Sequence, residues 1–420
     1  MDKETRLTTP AKILIAVIIV IAVVLVQFLL LPWLGFGTDR EMSIVGTGRG
    51  FTYDFDSGAA FHSNDSRFFY FATRDAIRYV ASNEVLVWSE TFSFNNPWLA
   101  ARGDYVAIGE ESGGRIIRVF DSDGPVFHAN FENPVLAFWI NETGFVSAIV
   151  QYERGYGVYV LNRHLPNPEN PFFHFDIYSE LIFPMFAEVS ADGRYIAVAT
   201  TDLNFEIVRT SVQFRYTSQW DAWATDRGLF ATEEFPDQFI TAMQFMNNNR
   251  LVIATTSQIV GFQLGPGHTI SRRMWDIQLD NAKTHIEFYN GTHFAFAIGD
   301  RLPMAASEGD PLGMVRIYGI NGVETGTFEL GRRATHLRMG HNSVIVGGDR
   351  SFHAMDFRGN PLWEHTSLFD TRDVLFLDNT NIILVAGSIQ AEIFERRRLR
   401  DSDFEDEFEF DFDSDIVPEN

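Results

Sequence analysis

The sequence predicts an all-β protein: a β-propeller of eight four-stranded blades, with seven as the alternative count, preceded by one transmembrane helix. A polar turn followed by an apolar strand recurs eight times, the last repeat lacks a strand while an orphan strand precedes the first, and one long apolar run lies near the amino terminus. The predicted organisation is a tail (1–12), an anchor (13–34), a linker (35–43), the propeller (44–395) and a second tail (396–420).

The apolar run ILIAVIIVIAVVLVQFLLLPWL, residues 13–34, has 22 residues and Gln27 as its one strongly polar side chain. A helix of this length spans about 33 Å, close to the roughly 30 Å of a bilayer's hydrocarbon core. A cleaved signal peptide is the alternative, but its apolar region is usually shorter. No Ala-x-Ala cleavage site follows the run. We therefore expect an uncleaved anchor.

The orientation of the anchor follows from the flanking cations. Lys3, Arg6 and Lys12 precede the run, whereas Arg40 and Arg49 follow it. This modest excess favours a cytoplasmic amino terminus, because positive residues are retained on the cytoplasmic side. The sequence thus predicts a single-pass protein of the cell membrane with its propeller on the extracytoplasmic side.

The repeated unit is a short polar turn followed by β-branched and aromatic residues. In SADGRYIAVAT (190–200), Asp and Gly suit a tight turn because they tolerate positive φ, and the residues after them favour a strand. The spacing of about forty to fifty residues is typical of propeller blades. Comparable stretches occupy 63–73, 101–110, 141–150, 190–200, 247–256, 290–299, 341–348 and 379–387.

Each unit reads as a four-stranded meander. A short apolar stretch precedes the turn, and two further strands follow, such as RIIRVFDSDG and PVFHANF. A single meander cannot bury both of its faces, whereas radial packing of several meanders can. A pair of β-sandwiches is the alternative fold, but sandwiches do not require eight similar units.

The ends of the repeat region complement each other. AEIFE (391–395), the third strand of the last unit, runs directly into arginines, and an orphan strand, GFTYDF (50–55), precedes the first unit. We expect this strand to complete the last blade and close the ring. GTGRG (46–50) lacks the Lys-Ser/Thr of a phosphate loop and is interpreted as a flexible link. The irregular fourth unit keeps seven blades as the alternative.

SADGRYIAVAT resembles the repeat signature of TolB-type and WD40-like propellers, and MDFRGNPLWEH (355–365) resembles the end of a quinoprotein-type repeat. The layout as a whole is similar to membrane-anchored bacterial propellers of unassigned function. The resemblance covers 44–395. It implies an architecture and little about activity, because one fold hosts many functions.

Composition excludes several functional classes. The net charge of −23 and the absence of a basic stripe argue against nucleic-acid binding. The chain has no cysteine, which excludes disulfides and thiol catalysis. His285, Glu287 and His293 are grouped near one hairpin, but such groups arise by chance in a strand-rich chain. The sequence therefore predicts no catalytic residue, no metal and no cofactor.

Two long loops are candidate binding elements. Loops 162–171 and 218–228 join the third and fourth strands of neighbouring units, so they should lie side by side on one face. Trp220 and Trp223 in the second loop indicate a partner-binding patch, or else a small core beneath the loop. A further insertion, 299–313, should emerge on the opposite face.

The acidic tail is the last candidate. Residues 401–420 carry ten acidic groups and no Lys or Arg, so we expect a disordered segment. Its phenylalanines could dock in a basic, apolar groove of a partner; the alternative is a solvated tail. These residues are Phe404, Phe408, Phe410 and Phe412.

The function expected from these features is a non-enzymatic, membrane-tethered scaffold that binds a protein partner in the cell envelope. An extracytoplasmic sensor or glycan-binding propeller is the alternative. An enzyme of the quinoprotein type is less favoured, because only the unit around Trp363 approaches the tryptophan-docking pattern of that class.

Overall fold

The computed structural model describes residues 42–398 except 55–57, 65–66, 112, 206–207, 218–227, 266–271, 280–282, 299–312, 332, 349 and 379–380. Its compact body runs from Ile44 to Arg396, and Met1–Ser43 with Arg397–Asn420 separate as a second unit. Within the described ranges, no helix is long and apolar enough to cross a bilayer. The predicted anchor, 13–34, lies outside those ranges.

The first half of the chain forms β1 (Met42–Thr52), β2 (Ala60–Ser63), β3 (Phe68–Ala72), β4 (Ala76–Ala81), β5 (Leu86–Thr91), β6 (Pro97–Arg102), β7 (Tyr105–Glu110), β8 (Gly114–Asp121), β9 (Gly124–Ile140), β10 (Val146–Gln151), β11 (Tyr156–Leu161), β12 (Phe173–Ile177), β13 (Ile182–Val189), β14 (Tyr195–Asp202), β15 (Arg209–Tyr216) and β16 (Leu229–Pro236). The second half forms β17 (Ile240–Phe245), β18 (Arg250–Thr255), β19 (Gln258–Gln263), β20 (Arg272–Gln278), β21 (Lys283–Tyr289), β22 (His293–Ile298), β23 (Met314–Gly319), β24 (Glu324–Glu329), β25 (His336–Gly340), β26 (Ser343–Gly348), β27 (Ser351–Asp356), β28 (Pro361–Thr366), β29 (Asp373–Asp378), β30 (Ile382–Ala386) and β31 (Gln390–Arg398).

These strands form sheets in chain order, and the predicted all-β, propeller-like fold is confirmed. In the described part of the chain, six sheets have four strands: β2–β5, β13–β16, β17–β20, β21–β24, β25–β28, and β29–β31 completed by β1. One further sheet has seven strands, β6 to β12.

The seven-stranded sheet results from one long strand. β9 has 17 residues; its first part pairs with β8 and its second part with β10. Val135 pairs with both Gly114 and Val150. The sequence predicts two separate strands here, 125–131 and 134–140, but no turn forms at Glu132 and Asn133, so the chain continues from one meander into the next without a break.

The recurring turn-and-strand stretches form the second strands of their meanders: β3, β7, β10, β14, β18, β22, β26 and β30. These strands are buried along most of their length; every residue of β26 is buried. The fourth strands are more exposed, as in the alternating pattern of β28. A second strand is covered by neighbouring sheets on both faces, which explains its continuous apolar sequence.

Apolar clusters fill the space between successive sheets, and the last sheet packs on the first. Phe61 and Phe69 of the β2–β5 sheet share one cluster with Leu375, Leu384 and Ile393 of the final sheet. Burial of each large apolar side chain contributes roughly 1.5–3 kcal/mol. The sheets thus form a closed ring in which each one is covered on two faces.

The ring is closed by the amino-terminal strand. The hydroxyl of Thr47 donates to the carbonyl of Ile393 at 2.7 Å, and the amide of Tyr53 donates to the carbonyl of Ile389 at 2.8 Å. The residue number of the β31 partner decreases as the residue number along β1 increases, so β1 runs antiparallel to β31.

Two details of the predicted closure need correction. The closing strand is 42–52 rather than 50–55, and 46–50 lies within it instead of forming a flexible link. Glycine composition suggested a loop, but strand pairing uses backbone groups only. Moreover, a Cβ on Gly50 would lie 2.6 Å from the carbonyl oxygen of Ala391, so this close pairing requires glycine.

First strands of neighbouring sheets contact one another around the axis, as β13 contacts β17, β21 contacts β25, and β29 contacts both β25 and β2. We call the face at which first strands begin the entry face, and the face at which they end the exit face. Because neighbouring strands are antiparallel, the exit face carries the turns between first and second strands and those between third and fourth strands.

The turn at 190–194 shows why these turns have their composition. The carboxylate of Asp192 accepts from the amide of Arg194 at 3.1 Å, and Gly193 has a φ of 71°. A Cβ on Gly193 would lie 2.5 Å from the ring of Phe145 in the preceding meander. The glycine is therefore required both by its backbone conformation and by the packing of neighbouring turns.

We expect Gly193→Ala to destabilise the protein more than Gly331→Ala does. Gly331 has a similar φ of 67°, but a Cβ there would meet nothing within 4 Å. The difference isolates the contact with Phe145, and overpacking of this kind costs about 1–3 kcal/mol. Urea unfolding of the two variants measures this difference. Equal losses in free energy of unfolding would show that the contact with Phe145 does not contribute to the destabilisation.

Candidate functional site in the central channel

A cavity of about 300 Å³ opens at the exit face. Its lining includes Phe61 of β2, Arg102 of β6, Gln244 of β17, Glu287 of β21 and Arg338 of β25. These residues come from different meanders, and their first strands surround the axis. The cavity is therefore the mouth of the central channel.

Arg338 is the centre of one ion cluster in this channel. Its Nε and Nη2 donate to the two carboxylate oxygens of Asp373 at 3.0 and 2.9 Å, and its Nη1 donates to Glu287 at 3.5 Å. Burial acts to lower the pKa of Arg338, but the two carboxylates outweigh it and raise that pKa, so the guanidinium is charged. Burial raises the pKa of Glu287, although Arg338 partly opposes the shift.

A second ion pair joins β6 to β13. Nη1 of Arg102 donates to the carboxylate of Glu188 at 3.2 Å. Glu188 is only 3% exposed. Burial raises the pKa of Glu188 despite the charge of Arg102 and a hydrogen bond from the amide of Phe245. This pair bridges first strands of different meanders across the channel wall.

His62 contributes a neutral group. Its Nε2 donates to the carbonyl of Gly103 at 3.1 Å. Burial, the largest cause, lowers the pKa of His62 to about 4, and the positive charge of Arg338 acts in the same direction. The ring is therefore uncharged at neutral pH and links β2 to the turn between β6 and β7.

Sequence analysis did not identify these channel residues, although a signal is present. First strands such as FAEV, HIEF and LRMG each carry one charged residue among apolar ones. A lone charge in a half-buried strand most often faces solvent, and only the ring arrangement shows that these charges face one another.

The outer strands carry tryptophans that join neighbouring meanders. The indole of Trp88 in β5 donates to the carbonyl of Ser122 at 3.0 Å, and that of Trp275 in β20 donates to the carbonyl of Ile320 at 3.1 Å. Both acceptors lie in the turn between third and fourth strands of the next meander. The quinoprotein-like docking pattern thus extends beyond the unit around Trp363.

Trp363 holds the same position in β28 but lacks this acceptor. Its indole nitrogen is buried and has no hydrogen-bond partner among the described residues. In the pairing of β30 with β31, Arg396 occupies the position that the acceptors Ser122 and Ile320 occupy in their own meanders. Arg396 instead donates through its side chain to the carbonyl of Leu362 at 3.0 Å. The last sheet has no turn there, because β1 supplies its fourth strand.

An apolar surface is exposed on the entry side of β13. Leu181, Phe183 and Met185 are 48, 39 and 37% exposed, and Met185 lies at a β-bulge between Pro184 and Phe186. Leu203 and Phe205, after β14, are 45 and 46% exposed, and the amide of Leu203 bonds to the carbonyl of Leu181. These five residues form what we call the β13 apolar surface. Sequence analysis missed it, because alternation in a first strand normally indicates a buried side.

The predicted binding residues Trp220, Trp223, Phe404, Phe408, Phe410 and Phe412 all lie outside the described residues. They remain predictions, as does most of the insertion 299–313. Loop 162–171 is described and folds back on the preceding meander, where Arg163 donates to the hydroxyl of Tyr105 at 2.7 Å.

His293 and Glu287, which are grouped near one hairpin in the sequence, contact different residues in the structure. The ring of His293 packs against that of Phe357 in a tilted arrangement with centroids 4.3 Å apart, and Glu287 accepts a hydrogen bond from Arg338. Within the described ranges, no group of three His, Cys, Asp or Glu side chains is arranged to hold a metal ion.

We expect Arg102→Met to destabilise the fold by roughly 3–5 kcal/mol at neutral pH, because it leaves a buried charge without its partner. A carboxylate with a raised folded pKa binds its proton more tightly when folded. The stability it contributes is therefore lost as pH rises from the ordinary value of 4.5 through the folded pKa. Arg102→Met removes a charge that lowers the pKa of Glu188, so this pKa rises further in the variant. The loss in free energy of unfolding relative to the unaltered protein should therefore shrink as pH falls.

Urea unfolding at about pH 5 and about pH 7.5 tests this dependence. The double variant Arg102→Met/Glu188→Gln is the control and should lack the additional pH dependence. A deficit of the same size at both pH values would contradict this role for the pair.

Comparison with known proteins supports the fold. The structure is similar to Saccharomyces cerevisiae Sqt1, with a TM-score of 0.54, 10% identity and coverage of 84% of this chain and 99% of that one. It is similar to the Dos1 propeller, with a TM-score of 0.52, 9% identity and coverage of 85 and 96%. BamB from Moraxella catarrhalis matches at a TM-score of 0.46, 12% identity and coverage of 84 and 99%.

The expected resemblance to WD40-like propellers is confirmed at the level of fold. No curated protein matches the chain in sequence. The model of a family of unknown function, DUF5711, matches residues 64–393, from the first polar turn to β31. The chain belongs to this DUF5711 family.

Proposed function

We propose that this protein is a membrane-tethered, extracytoplasmic propeller that acts as a protein-interaction scaffold in the cell envelope. The observation that carries the scaffold role is the β13 apolar surface. Large exposed apolar groups that lie together mark interaction sites more often than scattered ones do. A rigid ring holds such a surface in a fixed geometry.

The chemistry of the partner follows from the rim of this surface. Glu180 precedes Leu181, and Asp202 precedes Leu203. Arg209 lies over the ring of Phe205, 3.8 Å from its centroid, and is already engaged there. The surface therefore suits an apolar segment flanked by basic residues, because opposite charges at the rim favour the correct partner.

We infer eight blades, with β9 serving as the fourth strand of one blade and the first strand of the next. In the described part of the chain, eight apolar clusters support this count, one between each pair of successive blades. An experimental density map that shows seven sheets around the axis would overturn it.

The membrane tether is proposed from the sequence of residues 13–34, whose length suits a bilayer. The chain contains no cysteine, so a single introduced cysteine reports its own location without interference. Leu368 is 94% exposed and offers such a position in the propeller, and Thr5 offers one in the amino-terminal tail.

In intact protoplasts, we expect a membrane-impermeant maleimide to label Leu368→Cys but not Thr5→Cys, because only the propeller would lie outside. Lysis should make both sites reactive. Labelling of Thr5→Cys alone before lysis would reverse the orientation. Recovery of the full-length chain in the soluble fraction would refute the anchor.

For the scaffold role, we expect Leu203→Ser/Phe205→Ser to abolish proximity labelling of envelope partners by a ligase fused to the protein. The fold should be unaffected, because exposed substitutions usually change stability by about 0.5 kcal/mol or less. Leu368→Ser is the matched control, since it removes an exposed apolar side chain elsewhere.

The labelled proteins should persist in the control and disappear in the double variant, with equal melting temperatures. Unchanged labelling in the double variant would contradict a role for the β13 apolar surface.

A sensor of small molecules is the second candidate function, and the channel cavity favours it. A quinoprotein-type enzyme has less support, because in the described sheets an indole reaches a turn carbonyl of the next meander only from Trp88 and Trp275.

A further inference from the structure

The channel mouth contains polar groups whose hydrogen-bonding capacity is not used by the protein. Arg102 has five N–H donors, of which one bonds within the described part of the chain, to Glu188. Its side chain is only 17% exposed. A guanidinium that is mostly withdrawn from bulk water, with donors still open toward a cavity, is suited to bind an anionic oxygen.

Glu287 presents the opposite charge to the same cavity. Of its two oxygens, Oε2 accepts from Arg338 at 3.5 Å, and Oε1 has no donor among the described residues. Burial raises the pKa of Glu287 in spite of Arg338 and the weaker field of Arg102. A second cation beside Oε1 would stabilise the ionised carboxylate.

Gln244 lies on the same wall, with a primary amide that has no hydrogen-bond partner among the described residues. An amide can donate and accept, so it can bind either end of a dipolar ligand. The cavity therefore offers an open donor, an open acceptor and an adaptable group, all contributed by different sheets.

The size and the apolar part of the wall restrict the ligand further. The volume of about 300 Å³ equals roughly ten waters at about 30 Å³ each. Phe61, Leu99 and Leu375 also line the cavity and provide an apolar contact surface. Ligand sites typically combine such apolar lining with a few polar groups that fix orientation.

We propose that the exit-face mouth of the channel binds a free α-amino acid with an apolar side chain, its carboxylate on Arg102 and its ammonium group at Glu287. A simple carboxylate would leave Oε1 of Glu287 without a donor, and a simple amine would leave the open donors of Arg102 without an acceptor. A zwitterion satisfies both groups at once. This site is independent of the scaffold role, since the β13 apolar surface lies on the entry side.

The test uses the full-length protein in detergent and measures binding by titration calorimetry. The probes are leucine, its analogue without the amine (4-methylpentanoate) and its analogue without the carboxylate (3-methylbutan-1-amine). We expect leucine to bind at least tenfold more tightly than either analogue. Absence of leucine binding, or equal binding of all three probes, would overturn the proposal.

Variants then locate the site. Gln244→Ala and Glu287→Gln should each weaken leucine binding at least tenfold, and Gln244→Ala does so without breaking any hydrogen bond of the described fold. Arg350→Gln is the matched control, because it breaks a surface ion pair, with Asp370, away from the channel. Binding that Gln244→Ala and Glu287→Gln leave unchanged would place leucine elsewhere and refute the site.

Discussion

The structure depends on one constraint: each sheet is apolar on both faces and must be covered twice. The second strands show it most clearly, because β26 is buried along its full length and cannot face solvent on either side. Two stacked sheets would leave their outer faces exposed, whereas a ring covers every face. The cluster that joins Phe61 and Phe69 to Leu375 and Ile393 is where the ring meets its own beginning.

Closure by β1 follows from the same constraint and has a local consequence. Because the fourth strand of the last sheet comes from the other end of the chain, that sheet lacks the turn that elsewhere accepts an indole N–H. Trp363 is left without the acceptor that Trp88 and Trp275 have, and the side chain of Arg396 reaches Leu362 instead. The junction is therefore bonded differently from the regular contacts between meanders.

The ring also concentrates charge at its axis. The inner edges of the sheets leave a narrow channel in which carboxylates and guanidinium groups lose most of their water. A charge withdrawn from water persists only when it is paired; the buried pair of Arg102 with Glu188 and the half-buried pair of Arg338 with Asp373 fulfil this requirement. Arg102 and Glu287 each keep hydrogen-bonding capacity that no described residue uses. This open capacity makes the channel mouth a candidate ligand site.

The sequence by itself determined the repeated element and its spacing. The turn at 190–194 and its seven counterparts were recognisable because Asp, Asn and Gly have local conformational preferences and because an apolar run follows each turn. The incomplete end units indicated closure as well, although the glycines of 46–50 concealed the true position of β1.

Only the tertiary structure decided what meets at the axis and on the faces. Arg102 and Glu188 are 86 residues apart in the chain, and neither carries a local signal that it will find the other. Likewise, Phe183 lies in β13 and Leu203 directly follows β14, and the two residues form one exposed surface only after β13 and β14 pair. Local preferences are fixed by neighbouring residues, whereas long-range contacts depend on how the complete ring packs.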